Sequence, residues 1–202
     1  MQSTYFISDT HFYHSNVIKY SSRPFSSAEE MNEQMIQNWN AMVKPGDNVY
    51  HLGDVSFGPY KETKTLLNRL NGDIHVILGN HDKIIYKNIN DLQSSLTLAS
   101  VQNYKELKLG DPYPMIVLFH YGQRVWNKSH YGSIHCYGHS HGNLPPHGKS
   151  VDVGVDSIEI TRANGENGGK SKFDYRPIHL DELLEYMSKR NFEAVDHHIM
   201  ES

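Results

Sequence analysis

An α/β fold is the expectation from three features of this chain. Its first part runs strand–helix–strand–helix–strand, the rhythm of parallel pairing with helical crossovers. From about residue 98 strand-like runs dominate, with little helical signal until residues 181–190. Acidic, amide or imidazole residues stand where several of the expected strands end.

Residues 3–8 read as a short strand ended by Asp9, and residues 12–26 as a loop containing Arg23-Pro24-Phe25. Ser27 and Glu30 form a capping box, in which hydroxyl and carboxylate satisfy N–H groups that a helix start leaves open. Met31, Met35, Ile36, Trp39, Met42 and Val43 follow at helical spacing. Lys44-Pro45-Gly46-Asp47 stops that helix. Residues 49–52 make a second strand ending at Gly53-Asp54. A short helix carries Leu66, Leu67 and Leu70 on one face, with Gly72 just beyond it. Residues 74–78 make a third strand, ending at Gly79-Asn80-His81-Asp82. Later strands are expected at 115–119, 133–137, 150–155 and 173–178, and a last helix at 181–190 carries Leu183, Leu184 and Met187. Residues 163–171, with three glycines, read as a surface loop. With no internal repeat and no linker, residues 1–190 are expected to form one domain, with 191–202 as a tail.

Composition narrows the function. Hydrophobic residues at 38% and charged residues at 21% suit a globular chain rather than a disordered one. No apolar run approaches the roughly 20 residues that cross a bilayer. Cys136 is the single cysteine, so no intramolecular disulfide can form and a reducing, cytoplasmic setting is expected. The formal net charge of −4 argues against a surface that grips many backbone phosphates. A nucleic-acid substrate is therefore not favoured, although bound divalent cations would add positive charge that this count omits.

The chemistry sits at the strand ends. Asp9 and His11, then Asp54, then Asn80 and His81 follow the first three strands; His120 and the pair His139 and His141 follow later ones. In open α/β sheets, ligands bind beyond the carboxyl ends of the strands. Residues two apart on an extended chain point the same way, so Asp9/His11 and His139/His141 are expected to converge. Carboxylate, amide and imidazole donors without thiolate suit manganese, iron or zinc. They exceed the needs of one ion, and a carboxylate bridging two ions is the arrangement that phosphate-ester hydrolysis exploits. Asp54, on the central strand, is the candidate bridge. Taken singly, each of these residues reads as an ordinary turn or cap; the joint pattern carries the argument.

In this order, Asp9-Thr10-His11, Gly53-Asp54, Gly79-Asn80-His81-Asp82, His120 and Gly138-His139-Ser140-His141 resemble the calcineurin-like metallophosphoesterase superfamily over residues 5 to about 155. The likeness is to its small single-domain bacterial and phage members. It implies a four-layer αββα sandwich with two mixed β-sheets. It implies two divalent ions, manganese first, with iron, zinc or nickel as alternatives. Asp9, His11, Asp54 and His141 would surround one ion, and Asp54, Asn80, His120 and His139 the other. His81 and Asp54 would be catalytic, with His81 beside the scissile phosphate, Asn80 also near the phosphate, and hydroxide attacking phosphorus directly. His120 is assigned by its place after an apolar strand, ahead of His130 and His135. Phe57 stands where phosphoprotein phosphatases carry an acid that orients the catalytic histidine, which argues against a Ser/Thr protein phosphatase.

Arg23 is the candidate substrate contact outside the metals, because a guanidinium can hold a phosphate bidentately. The expected substrate is a small phosphate ester, nucleotide-like, either diester or monoester. A nuclease on short or single-stranded nucleic acid and a non-catalytic metal-binding module are the alternatives. The aromatic residues Phe12, Tyr13, Phe57, Tyr60, Tyr121 and Trp126 flank several motifs; packing is the first reading for them, and base stacking the second.

Overall fold

The computed structural model of the protein describes residues 2–145, 147–157 and 175–190. Four strands, β1 (Thr4–Ile7), β2 (Asn48–His51), β3 (Asp73–Ile77) and β4 (Ser100–Gln102), pair in parallel in the order β4-β3-β2-β1. The short β9 (Ile178–His179) adds an antiparallel edge next to β1. A second sheet has the order β5-β6-β7-β8, formed by β5 (Tyr104–Leu107), β6 (Ile116–Phe119), β7 (Ile134–Tyr137) and β8 (Ser150–Asp152). Its β5–β6 pair is antiparallel and its other pairs are parallel. Both sheets are thus mixed, as the sequence implies.

Alternation along the strands builds two cores. Tyr5, Ile7, Val49, Ile74 and Val76 face the helices α2 (Ala28–Met42) and α3 (Tyr60–Leu67), meeting Met31, Met35, Ile36, Trp39, Leu66 and Leu67. Phe6, Tyr50, Leu52 and Ile77 face the other way. There they pack against Ile116, Leu118, Ile134, Cys136 and Val151 of the second sheet. A strand whose successive side chains are both apolar is one buried on both faces, and all four residues of β1 are buried. The final helix, α6 (Leu180–Ser188), contributes Leu180, Leu183 and Met187 to the inter-sheet core. On the outer face of the second sheet, Trp126 covers His135 at 5.4 Å between ring centroids, and a 3-10 turn (Ser129–Tyr131) follows it. No helix among the described residues is long and apolar enough to cross a membrane.

The capping box operates at one of its two bonds through Ser27, whose hydroxyl accepts from the Glu30 N–H. The Glu30 carboxylate instead reaches one residue further back, to the Ser26 N–H at 2.7 Å. Three expectations change. Residues 12–26 contain α1 (Ser15–Tyr20), a helix too short and with too few apolar residues, only Val17 being buried, to show a period. The helices α4 (Lys83–Lys87) and α5 (Ile89–Ser94) likewise each bury one side chain, Ile85 and Leu92. Of the strand expected at 173–178, residues 173–174 lie outside the described residues, 175–177 are not strand, and Ile178 belongs to β9. The loop at 163–171 and the tail at 191–202 lie outside the described residues.

The inter-sheet core should dominate stability. Phe6 is fully buried there and stacks on Tyr50 at 5.9 Å. Phe6→Ala is expected to destabilise the protein by about 3–5 kcal/mol in urea unfolding. A loss under about 1 kcal/mol would mean that the two sheets do not pack tightly at this point.

Candidate metal centre

All five motif segments emerge at one end of the molecule, immediately after parallel strands of both sheets. Asp9 and His11 follow β1, Asp54 follows β2, and Asn80 and His81 follow β3. His120 follows β6, and His139 and His141 follow β7. The two sheets are joined at this end. Ser8 pairs with Gly154 in a parallel bridge, with Ser8 N donating to Val153 O at 3.1 Å and Val155 N to Ser8 O at 3.0 Å. The site therefore lies on a seam, and each sheet supplies part of it.

Convergence does not arise from extended backbone, as expected from sequence, but from left-handed turns. Asp9 (φ 58°), His11 (φ 51°), Asp54 (φ 56°), His139 (φ 67°) and His141 (φ 48°) all have positive φ. Non-glycine residues there cost of order 1–3 kcal/mol each and persist only where surrounding bonds over-determine them. Those bonds are present. Asp9 N donates to Gly53 O at 3.0 Å, His11 N to Asp54 O at 3.0 Å and Phe12 N to Val55 O at 2.9 Å. The Thr10 hydroxyl donates to Val55 O at 2.9 Å and meets His51 Nε2 at 2.9 Å.

Two donor clusters result. Ligand atoms of Asp9, His11 and His141 lie within 4.8 Å of one another, and so do those of Asp54, His120 and His139. Asp54 Oδ2 joins them, standing 3.6 Å from His11 Nε2 and 3.6 Å from His120 Nε2. Its other oxygen accepts the His81 main-chain N–H at 2.9 Å. Asn80 Oδ1 lies 3.1 Å from His120 Nε2 and 2.9 Å from His139 Nδ1. His120, rather than His130 or His135, reaches this cluster. His135 instead sits under Trp126, with Nδ1 on Val117 O at 3.1 Å.

The donors fit divalent cations on three grounds. First, His120 Nδ1 must donate to the Leu52 carbonyl at 2.6 Å, so a neutral ring presents the lone pair of Nε2 to the oxygens of Asp54 and Asn80. Acceptors facing acceptors call for a cation among them; a backbone carbonyl that orients a ligating imidazole is a common feature of metal sites. Second, buried His11 Nε2 has no hydrogen-bond partner. Burial, together with His141 and Arg23, lowers the His11 pKa to about 2, which leaves the neutral ring that ligates metals. Third, the carboxylates of Asp9, Asp54, Asp82, Asp152 and Asp156 are all buried around this seam, beside the buried guanidinium of Arg23. Burial and then the neighbouring Asp152 and Asp54 push the Asp9 carboxyl well above its ordinary range. Bound cations would relieve that repulsion. The oxygen and nitrogen donor set excludes no first-row divalent ion, and Cys136 is buried between the sheets, away from it.

Arg23 corrects an expectation. Its side chain is fully buried, and its donors are taken by Asp156 Oδ1 and Oδ2 at 2.8 and 2.7 Å, Asp9 O at 2.7 Å and Thr10 O at 2.9 Å. It holds the first-motif turn from within and faces no substrate. Asp156 receives His141 Nδ1 at 2.6 Å on its other side. Burial alone would raise the Asp156 carboxyl, but the bonds from His141 and Arg23 outweigh it and hold it low. Asp82 accepts three main-chain N–H groups, from Asp54, Val55 and Gly79, each at 2.8 Å, and so ties the second motif to the third. His14 completes the surroundings of His11, with the two Nδ1 atoms 3.1 Å apart. Besides Arg23, Asp82 and Asp156 carry a sequence signal, as the last residues of Gly79-Asn80-His81-Asp82 and Val153-Gly154-Val155-Asp156, and His14 carries none.

His81 is solvent-exposed, with its ring 6.0 Å from that of His11. Phe57 packs against it at 4.8 Å and stacks on His14 at 3.9 Å and His11 at 5.0 Å. An aromatic wall thus occupies the place where an orienting carboxylate was sought.

Two substitutions separate holding the site from touching substrate. Arg23→Ala leaves the buried Asp156 carboxylate with His141 but without its guanidinium and is expected to cost about 3–5 kcal/mol of folding stability in urea; a stable variant with only a raised KM would restore the substrate-contact reading. A Cβ on Gly79 would collide with Asp54 Oδ1 and lie 2.6 Å from Asp54 N and 2.8 Å from His120 Cε1. Gly79→Ala is therefore expected to keep the fold by circular dichroism while losing most bound divalent metal in elemental analysis. Full metal content in that variant would overturn this view of the second cluster.

The comparisons with known proteins agree with this geometry. The family model for calcineurin-like phosphoesterases matches residues 3–199. The uncharacterized protein MJ1445 of Methanocaldococcus jannaschii is 34% identical over 198 residues, which cover 94% of this chain and 93% of that protein. The crystal structure of the protein of unknown function AQ665 from Aquifex aeolicus shares the fold with a TM-score of 0.63, covering 92% of this chain and 99% of that one at 23% identity. Motifs, donor clusters and family match converge: the chain belongs to the calcineurin-like phosphoesterases and is a metal-dependent phosphoric ester hydrolase.

Proposed function

We propose that this protein hydrolyses a small phosphate ester by direct attack of water at a two-cation centre bridged by Asp54. The observation that carries the reading is the position of Asp54 Oδ2, 3.6 Å from an imidazole nitrogen of each donor cluster. Asp9, His11 and His141 would hold one ion, Asn80, His120 and His139 the other, with Asp54 shared. When bound, such ions supply a water of lowered pKa as nucleophile and neutralise charge on the phosphoryl oxygens. Manganese is the first ion to supply; iron, zinc and nickel suit the same donors.

The protein's own groups do the rest. Asp54 Oδ1 anchors the His81 main chain, so the residue that reaches the reacting phosphate is fixed relative to the bridge. The exposed His81 ring would give a proton to the leaving oxygen, a contribution typically worth about 10²–10⁴-fold. Phe57 confines that ring on one side without a charge. The absence of a carboxylate there sets the site apart from Ser/Thr protein phosphatases.

The test is manganese-dependent hydrolysis of bis-p-nitrophenyl phosphate and p-nitrophenyl phosphate, with Asp54→Asn as the blank. Turnover of either ester that vanishes in the variant, together with reduced manganese content, is the expected result. Equal rates in the two proteins would sink the bridged centre. His81→Gln is expected to slow an ester with an alkoxide leaving group far more than one releasing p-nitrophenolate, which needs little protonation. Equal losses on both would remove His81 as the proton donor.

A further inference from the structure

A cavity of about 410 Å³ opens beside the second donor cluster. Asn80 lines it, and Asn80 Oδ1 is also the atom that stands 2.9 Å from His139 and 3.1 Å from His120. Tyr121 forms a second link. Its ring lines the cavity and meets the His139 and His120 rings edge-on, at 4.7 and 4.9 Å. Whatever is esterified to a phosphate at the metal centre can therefore extend directly into this space.

The lining is specific in its chemistry. Three aromatic rings, Tyr86, Phe119 and Tyr121, account for most of the apolar wall, with Leu78 as the only aliphatic side chain. Tyr86 and Tyr121 are 65% and 41% exposed, so their faces are not used up by packing. Asn103 supplies an amide able to donate and accept, and Lys83 a cation. An acyl chain would find few aliphatic partners here, and a sugar too few hydrogen-bond groups. A flat heteroaromatic ring with polar edges matches both features, because every nucleobase has a π-face to stack and an edge to pair. The volume falls in the range of roughly 300–1,000 Å³ usual for small-ligand sites.

We infer that this cavity is a nucleoside subsite, with the base stacked on Tyr86 and Tyr121 and its polar edge read by Asn103, so that the ester hydrolysed is a nucleotide. The inference rests on the phosphoesterase reading for its catalytic consequence, but not for binding.

The experiment compares thymidine 5′-(p-nitrophenyl phosphate) with methyl p-nitrophenyl phosphate, which release the same group and differ in the nucleoside. Tyr86 is the residue to change, because it sits on α4, outside the two donor clusters, with its side chain largely exposed. Tyr86→Ala is expected to raise KM for the nucleoside ester by roughly fivefold or more, with kcat/KM for the methyl ester changed less than about twofold. Equal effects on the two esters, or none on either, would overturn the inference and leave the metal centre standing. A second arm needs no turnover: saturation-transfer NMR with thymidine and adenosine, which carry no phosphate, on the manganese-free protein. Binding of at least one, weakened in Tyr86→Ala, supports the subsite even if no ester is hydrolysed, in which case the phosphoesterase reading alone fails. Binding of neither, with no preference for the nucleoside ester, rejects the subsite.

Discussion

Crowding of carboxylates into a buried seam between two sheets is the constraint on which the rest of this structure depends. Asp9, Asp54, Asp82, Asp152 and Asp156 are buried there, and each is held by a different device. Asp82 is surrounded by three main-chain N–H groups. Asp152 accepts from Gly142 N and Gly154 N. Asp156 is matched by the Arg23 guanidinium and by His141. Asp9 and Asp54 also accept main-chain N–H groups, yet turn the remaining lone pairs towards histidines. These two stand among the candidate donor clusters. Buried charges are tolerated when they are paired, hydrogen-bonded or bound to metals, and the seam supplies the first two to Asp82, Asp152 and Asp156.

The same seam explains the backbone. Five would-be ligands occupy left-handed conformations, an arrangement that isolated turns would not hold. Cross-links from other segments hold it here: Gly53, Asp54 and Val55 carbonyls take the N–H groups of the first motif, while Arg23 collects the carbonyls of Asp9 and Thr10. Each motif is rigid because another motif is present. That mutual dependence positions donors before a cation arrives, which is the preorganisation that catalysis by electrostatic stabilisation requires.

Phe57 and Tyr121 give the two flanks of the centre different characters. On one side Phe57 layers against His11, His14 and His81, so the exposed histidine is confined by aromatic surface. On the other, Tyr121 connects the second cluster to an open aromatic cavity. Phe57 thus borders the exposed His81 and Tyr121 borders the cavity, and both aromatic residues lie outside the motifs. Specificity in such folds belongs to grafted loops rather than to the shared sheet framework.

The α/β class and the parallel pairing of the first strands were legible from local pattern, which also marked the candidate donors that the family resemblance groups into two sets. Polar residues that interrupt apolar runs at strand ends are visible in sequence because strand and terminator are contiguous. The short helices α1, α4 and α5 were not, since each is anchored by one buried side chain supplied with a partner by distant segments. Nor was the role of Arg23: its carboxylate partner Asp156 is 133 residues away, and only folding shows that the guanidinium points inward. The left-handed turns at Asp9, His11, Asp54, His139 and His141 were equally hidden, because no local preference favours them for histidine or aspartate over extended backbone strongly enough to predict them. Sequence by itself marked the candidate donors; tertiary structure decided which of them meet, because their turns are held by hydrogen bonds between segments that become neighbours only where the two sheets join.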